Sequence, residues 1–313
     1  MNNKTDSTEF IVNSKPNPFV SVCTPTFNRR PFWPYLIRCF ELQDYPKNLI
    51  EWIIVDDGTD KIEDLLYNVP NIKYFYVNER MTLGKKRNYM NSLCSGEIII
   101  YMDDDDYYPP NRISHGVETL LKNPDYLIAG SSLMYIYYNS EKKVYTAGPY
   151  GKYHATAATF VFKKELLNIT CFNEDNFLAE EKHFTKNYSI PLIQLNPLKT
   201  IIVFSHEHNS LNKELLLENQ SICLMNETYI DIRYLIKDNI LRDFYVNSIH
   251  YLLNDYSEGE LSNKPELMKK VKDIEVNLKQ HKEDCMSKLK NEIELLKIMN
   301  QKLILRIKEL EKS

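Results

Sequence analysis

The sequence predicts an α/β fold: a mostly parallel sheet flanked by helices, then a helical region and a C-terminal coiled-coil helix. Three observations carry this. Short apolar runs alternate with segments of helical spacing between residues 19 and 121. Two of those runs end in clustered aspartates, at the strand ends where parallel sheets bind ligands. From Ser262 the composition turns to Lys, Glu, Leu and Ile at heptad-like spacing. With 313 residues, 43% of them hydrophobic, the chain can bury a sizeable core, which excludes wholesale disorder.

Residues 1–18, polar with Pro16 and Pro18, read as a flexible lead-in. Residues 19–23 (FVSVC) form the first strand, which runs into Pro25-Thr26-Phe27-Asn28. Trp33, Leu36, Ile37 and Phe40 mark a helix. Residues 51–55 (EWIIV) are a buried strand ending at Asp56-Asp57-Gly58, and residues 72–77 (IKYFYV) are another. Residues 84–94 read as a helix with Met90, Leu93 and Cys94 on one side. Residues 97–102 form the strand before Asp103, Asp104, Asp105 and Asp106. Pro109 and Pro110 suit the first turn of a helix marked by Ile113, Val117, Leu120 and Leu121.

The second half is more mixed. Residues 126–138 and 144–146 read as a hairpin turned at 139–141, and residues 157–162 and 200–204 as strands. A helix over 176–188 carries Glu180 and Glu181, and residues 210–261 read as a helical extension. Residues 262–313 hold 13 Lys/Arg against 9 Asp/Glu, a positive excess in a chain of net charge −4, which marks a boundary there. One heptad-like run is Leu267, Val271, Ile274 and Leu278; the other is Leu289, Ile293, Leu296, Leu303, Ile307 and Leu310. Asn300 falls at an a-type position, which favours a parallel pair of helices, while His281 and Cys285 make a weak seam between the runs. This predicts a homo-oligomer; the plainer alternative is an amphipathic helix lying back on the globular part.

The slightly negative net charge gives no nucleic-acid footprint. Six scattered cysteines without a Cys-x-x-Cys pair suit a reducing compartment. The first ten residues, MNNKTDSTEF, lack the apolar stretch of a signal peptide, and the longest uncharged run, 126–140, is too short and polar to span a bilayer. A cytoplasmic protein is expected. Lys exceeds Arg, with abundant Asn, Ile and Tyr, which suggests an AT-rich genome. A large DNA virus or a low-GC bacterium has such a genome, so the cytoplasm of an infected host cell, or a virion, falls within this expectation.

Carboxylates clustered at a strand end favour a hard divalent cation, Mg²⁺ or Mn²⁺, and such a cation completes its shell with water and substrate phosphates. Asp103 to Asp106 offer that cluster. Asp56 and Asp57 could accept from a nucleobase N–H or a ribose hydroxyl, and Pro25, Thr26 and Asn28 could line the same crevice. Gly84-Lys85-Lys86-Arg87 opens a helix, where positive side chains and free N–H groups suit a diphosphate. His206 and His208, two apart, share a face if that segment is extended.

Taken together, VSVCTPTFNRR, EWIIVDDGTD, LGKKRN and GEIIIYMDDDD resemble, in order and spacing, the inverting nucleotide-sugar glycosyltransferases of family 2, with the GT-A fold. The resemblance is strong over residues 19–115 and weak over 155–210. It implies a GT-A domain over 19–209 and a donor that is a nucleotide-diphosphate sugar, UDP-sugar first. The acceptor would be a hydroxyl of a glycan, protein or lipid. Asp56 and Asp57 match the pair that holds the nucleobase and ribose. Arg87 matches the arginine of the Ala-Arg-Asn element, with Lys85 and Lys86 adding charge near the diphosphate. Asp103 and Asp105 match the Asp-x-Asp motif, Asp105 as metal ligand and Asp103 nearer the ribose or bound through water. Asp104 fills the variable position and Asp106 the following, often structural, one. Glu181 stands where the acceptor's general base is usual, with Glu180 second and Asp175 third, and His206 is a further metal candidate. Two rivals remain. A sugar nucleotidyltransferase would carry a glycine-rich loop after the first strand, where this chain has TPTFNRRP. An inactive nucleotide-sugar-binding scaffold would bind without turnover.

Overall fold

The computed structural model describes residues 16–310. Most of the expected lead-in, residues 1–15, lies outside the described residues, as do residues 311–313. The large sheet is built on β1 (Val20–Thr26), whose seven residues are all buried. β2 (Ile50–Asp56) and β4 (Ile98–Tyr101) flank it in parallel, and β3 (Ile72–Tyr76) extends it beyond β2. On the other side follow β8 (Val161–Lys163), antiparallel to β4, then β5 (Ile128–Gly130) and β9 (Leu192–Gln194). Side-chain alternation assigns the two faces. Val22, Trp52, Ile54 and Ile100 belong to one core cluster; Cys23, Ile53, Val55 and Tyr101 belong to the other. On the first face α1 (Trp33–Glu41) brings Trp33 and Phe40 onto the Trp52 ring, at centroid distances of 5.6 and 4.2 Å. α2 (Leu83–Leu93) covers the second face with Met90, and α3 (Arg112–Lys122) buries Ile113, Val117 and Leu120 on the first.

Register is what positions the crevice. Thr26 pairs with Asp56, and Cys23 pairs with Tyr101. The end of β1, the Asp56-Asp57 pair and the acidic run after β4 therefore share one edge of the sheet. Beyond that run, Tyr107 bridges to Ile202, tying it to a second sheet. In that sheet β10 (Ile202–Ser205) lies parallel to β6 (Met134–Tyr138). β6 pairs antiparallel with β7 (Lys143–Ala147), and β7 with β11 (Met225–Glu227).

Several sequence expectations change here. The predicted hairpin exists as β6 and β7, but the run 126–138 is broken between sheets at Ser131-Ser132. There the backbone N–H groups donate to side chains, Thr159 Oγ1 at 2.9 Å and Gln194 Oε1 at 2.8 Å, instead of to a ladder. The run 157–162 starts with a 3₁₀ turn, Ala157–Thr159. The helix expected over 176–188 shrinks to α4 (Glu181–Phe184), because Ala179, Lys186, Asn187 and Tyr188 all adopt positive φ. Segment 210–261 holds short helices but also supplies β11, and its Phe244, Tyr245 and Ile249 share a core cluster with Phe204 and Phe32.

The C-terminal helix Pro265–Leu310 is continuous through the seam at His281 and Cys285. Its two apolar runs behave differently. Leu267 and Val271 are buried and Leu278 packs on the main core, so the first run lies back on the globular part. Leu289, Ile293, Leu296, Leu303 and Ile307 are exposed. Among the described residues no helix is long and apolar enough to cross a membrane.

One buried acid staples the sheet. Glu51 accepts from Ser21 Oγ (2.5 Å), Ser95 N (2.6 Å), Ser95 Oγ (2.7 Å) and Lys73 Nζ (2.6 Å). Burial would raise its carboxyl, but these donors outweigh that and hold it at about 2. A depressed folded-state value stabilises the fold above the unfolded value and is lost as pH falls through the folded one. Glu51→Gln should therefore cost about 3 kcal/mol at pH 7. It should also flatten the loss of stability that wild type shows between pH 4.5 and about 2 in urea titrations.

Candidate active site

The four consecutive aspartates face different ways. Asp103 and Asp105 keep 26% and 17% of their side chains exposed, whereas Asp104 and Asp106 are buried. Each has a separate answer to its charge. Asp103 meets Arg87 Nη2 at 3.2 Å, and its backbone N–H donates to the Tyr108 hydroxyl at 2.6 Å. Arg29 lies between the next two, Nε 3.8 Å from Asp104 and Nη2 3.7 Å from Asp105. Burial and the Asp105 charge nevertheless push the Asp104 carboxyl up to about 7. Burial raises the Asp106 carboxyl well above the usual carboxylate range, while its Oδ1 accepts from Phe204 N at 3.2 Å and its carbonyl from the Tyr245 hydroxyl at 2.7 Å. Asp106 is thus a structural link to the second sheet.

Asp105 has a second neighbour, His206 Nε2 at 3.3 Å. Burial opposes its charge too, while Arg29 and Lys213 lower the Asp105 carboxyl. The His206 ring is buried and driven down to about 3, so it is neutral at neutral pH. Its backbone N–H donates to Asn209 Oδ1 at 2.9 Å, which turns Asn209 Nδ2 to within 2.7 Å of Nε2. Nε2 therefore accepts, and Asn209 takes its one lone pair. A divalent cation at Asp105 and His206 would take that lone pair in place of the Asn209 amide, so His206 can join Asp105 in holding Mn²⁺ or Mg²⁺ once Asn209 moves aside. Among the described residues no three acidic, His or Cys groups converge into a cage.

Other expected donor contacts are already engaged within the protein. Asp56 accepts from Gly58 N and the Tyr74 hydroxyl, both at 2.8 Å. Asp57 accepts from Met81 N at 2.6 Å and pairs with Lys86, which also donates to the Thr26 carbonyl at 2.8 Å. Lys86 thereby ties Thr26 to Asp57. Asn28, at φ 50°, accepts from Thr59 N and Asp60 N (2.7 and 3.0 Å), so it shapes the loop rather than offering itself to a ligand. Gly58 fits only because it has no side chain: a Cβ would lie 2.5 Å from Asn28 Oδ1.

The start of α2 departs from expectation. The Gly84 N–H donates to Asn176 O at 3.0 Å and the Lys85 N–H to Thr82 Oγ1 at 3.1 Å, so these donors are not free for a phosphate. Lys85 is exposed on a separate cavity lined by Tyr76, Arg80 and Tyr89. Arg87 is fully buried over the Tyr101 ring, and its Nε donates to Glu180 Oε1 at 2.7 Å. One guanidinium thus joins Asp103 to Glu180. Glu180 is held by that bridge, whereas Glu181, at the start of α4, makes no such pair and is half-buried. Burial and the Glu180 charge push its carboxyl up to about 7. Asp175 is exposed in the preceding loop. His206 and His208 diverge, because the chain turns after β10: His206 faces Asp105, while His208 lies under Tyr256.

Sequence reading missed Arg29 as the cation between Asp104 and Asp105; its signal was a basic pair directly after the first strand's Pro-Thr-Phe-Asn. The description "Glycosyl transferase family 2" belongs to a family model that matches residues 21–184, more than half of the chain.

The chain belongs to glycosyl transferase family 2.

This family 2 chain is 36% identical over 105 residues to the putative colanic acid biosynthesis glycosyl transferase WcaA of Escherichia coli, covering 32% of the chain and 37% of that protein. It is 30% identical over 179 residues to the GalNAc(5)-diNAcBac-PP-undecaprenol beta-1,3-glucosyltransferase of Campylobacter jejuni, covering 50% of the chain and 56% of that protein. The chain thus spans about a third to a half of the length of these curated relatives. Its fold is similar to the mannosyltransferase PcManGT of Pyrobaculum calidifontis, solved with GDP-Man and Mn²⁺, at TM-score 0.52 and 16% identity over 76% of this chain and 70% of that one. That likeness agrees with the GT-A architecture of the sheet.

Gly84 offers a test of the site's packing. A Cβ there would lie 2.0 Å from the Asn173 carbonyl oxygen. Gly84→Ala should destabilise by about 1–3 kcal/mol in thermal or urea melts and should speed proteolysis of the 173–176 loop that leads to Glu181.

Proposed function

We propose that this protein transfers a sugar from a nucleotide-diphosphate sugar, UDP-sugar in the first instance, to a hydroxyl of a glycan, protein or lipid acceptor, with inversion at the anomeric carbon. The observation that carries it is the Arg87 bridge. It fixes Glu180, and with it the unpaired carboxylate of Glu181, relative to Asp103 on the donor floor.

Glu181 acts as general base. A carboxyl raised to about 7 can take a hydroxyl proton at neutral pH and still be ionised often enough to do so. The acceptor oxygen gives its proton to Glu181 and bonds to the anomeric carbon. The bond from that carbon to the diphosphate breaks, and the nucleoside diphosphate leaves with the electron pair. Asp103 faces the ribose side, held by Arg87, and Asp56 and Asp57 form the nucleobase wall with their own donors fixed. Arg29 and Lys86 supply positive charge beside the diphosphate. A divalent cation, Mn²⁺ or Mg²⁺, would be held by Asp105 and His206 and would neutralise charge on the departing diphosphate.

The exposed half of the C-terminal helix supports a second copy of the chain as partner. Leu289, Ile293, Leu296, Leu303 and Ile307 repeat at four and three residues, with Asn300 in register. This stretch lies beyond the part that packs on the globular body.

A donor panel scored for nucleotide release tests the reaction. Asp105→Ala and Glu181→Gln should each lower turnover by about 10²–10⁴-fold. The wild-type rate should rise with pH as Glu181 ionises, with half-effect near pH 7, and Glu181→Gln should lose that limb. Full activity in both variants would remove the assignment, and binding of nucleotide without turnover of any donor would favour a scaffold. For assembly, light scattering should give a dimer for the whole chain and a monomer when Ile293, Leu296 and Leu303 become Glu; a monomeric whole chain would remove this part.

A further inference from the structure

A cation also enters the crevice from outside the family-matched residues. Residues 256–266 cross the ends of β1 and β2 as a strap. The Tyr256 hydroxyl donates to Asp60 Oδ2 at 2.8 Å, Asn28 Nδ2 to the Glu258 carbonyl at 2.9 Å, and Arg29 Nη1 to the Gly259 carbonyl at 3.2 Å. The approach is close enough to require glycine, since a Cβ on Gly259 would lie 2.8 Å from the Asn28 carbonyl oxygen. On the far side Arg80 Nη1 donates to the Asn263 carbonyl and pairs with Glu266, each at 3.1 Å. The strap is therefore fastened to Asn28, Arg29, Asp60 and Arg80, all around the proposed donor crevice.

Between these anchors Lys264 turns inward and is 6% exposed. Its ammonium lies 5.3 Å from the Phe27 ring centroid and makes no hydrogen bond or ion pair among the described residues. Arg29, Asp104, Asp105 and Lys86 are its charged neighbours. The two aspartates already face Arg29, and Lys86 is paired with Asp57. Burial and Arg29 accordingly push the ammonium well below the ordinary lysine range. A strongly hydrated point charge on a side chain this buried, with no ion pair of its own, is costly. Its position makes sense once a group with two or more negative charges enters between it, Arg29 and the acidic run.

We propose that Lys264 binds the donor's diphosphate, so that the strap roofs the site and supplies a phosphate contact from the C-terminal part of the chain. This rests on the nucleotide-sugar reading of the crevice. The strap's anchors place the lysine over the donor side and not over Glu181, so the contact acts on nucleotide affinity and on leaving-group charge.

Calorimetric titration of the full chain with UDP, GDP, dTDP and ADP in the presence of Mn²⁺ identifies the tightest diphosphate, and its nucleoside serves as control. Lys264→Met keeps the apolar stem. It should weaken the diphosphate by about 10–100-fold, the loss expected for one charge-assisted contact, and change the nucleoside less than about threefold. Lys264→Arg should stay within about fivefold of wild type. Removing a largely buried charge that has no ion pair should leave the unliganded melting temperature equal or higher, and Lys264→Gln provides a second neutral variant if Lys264→Met does not fold. Diphosphate affinity unchanged in the neutral variants overturns the role of Lys264 alone. Failure of every diphosphate to bind wild type overturns the donor-site reading and this proposal together.

Discussion

Four carboxylates at the end of a buried strand cannot all ionise without counter-charges, and much of the site follows from how those charges are supplied. Arg87 comes from the helix across one face and answers Asp103. Arg29 comes from the end of the neighbouring strand and answers Asp104 and Asp105. Asp106, its carboxyl raised by burial, becomes a hydrogen-bonding link to the second sheet. Because each cation also reaches a further element, the acidic run works as a junction. Arg87 carries it to Glu180, and Arg29 carries it to the carbonyls of His208 and Gly259.

This arrangement divides the crevice into fixed walls and open groups. Asp56, Asp57, Asn28 and Lys86 have their hydrogen-bonding capacity engaged within the protein, so they define shape and charge without large rearrangement. Asp103, Asp105 and Glu181 retain exposed carboxylate surface. Groups that must exchange partners during a reaction are the ones left incompletely satisfied, a pattern expected where binding, rather than folding, completes the coordination.

Much of the fold was legible because buried parallel strands read as continuous apolar runs. VSVC, EWIIV and EIIIY appear where β1, β2 and β4 lie, and the aspartates follow at their shared edge. The division into two sheets was not legible, since it depends on side-chain acceptors, Thr159 and Gln194, that are distant in sequence from Ser131 and Ser132. The helix over 176–188 failed because apolar spacing does not report positive φ at Ala179 or Asn187. In the site, the acids and Arg87 were visible from their motifs. Whether a polar group is free depends on its partner: Gly84 looked like a phosphate cradle until Asn176 occupied its N–H. Arg29 lay within a motif and Lys264 in none, but the meaning of each comes from the carboxylates it lies near, about 75 and 160 residues away in the chain.

Gly259 gives the C-terminal segment a different standing from an appendage. It is the point where the chain's backbone touches the loop after β1, with no room for a side chain between them. Residues 21–184 furnish the floor of the crevice, but its ceiling is laid by a stretch that follows the second sheet. A boundary drawn at the end of the family-matched region would thus leave a basin open to water on one side, with Arg29 stripped of two carbonyl partners. Where this chain can be shortened without exposing Asn28 and Arg29 is therefore limited by the fastening of the strap, well after the last recognisable motif.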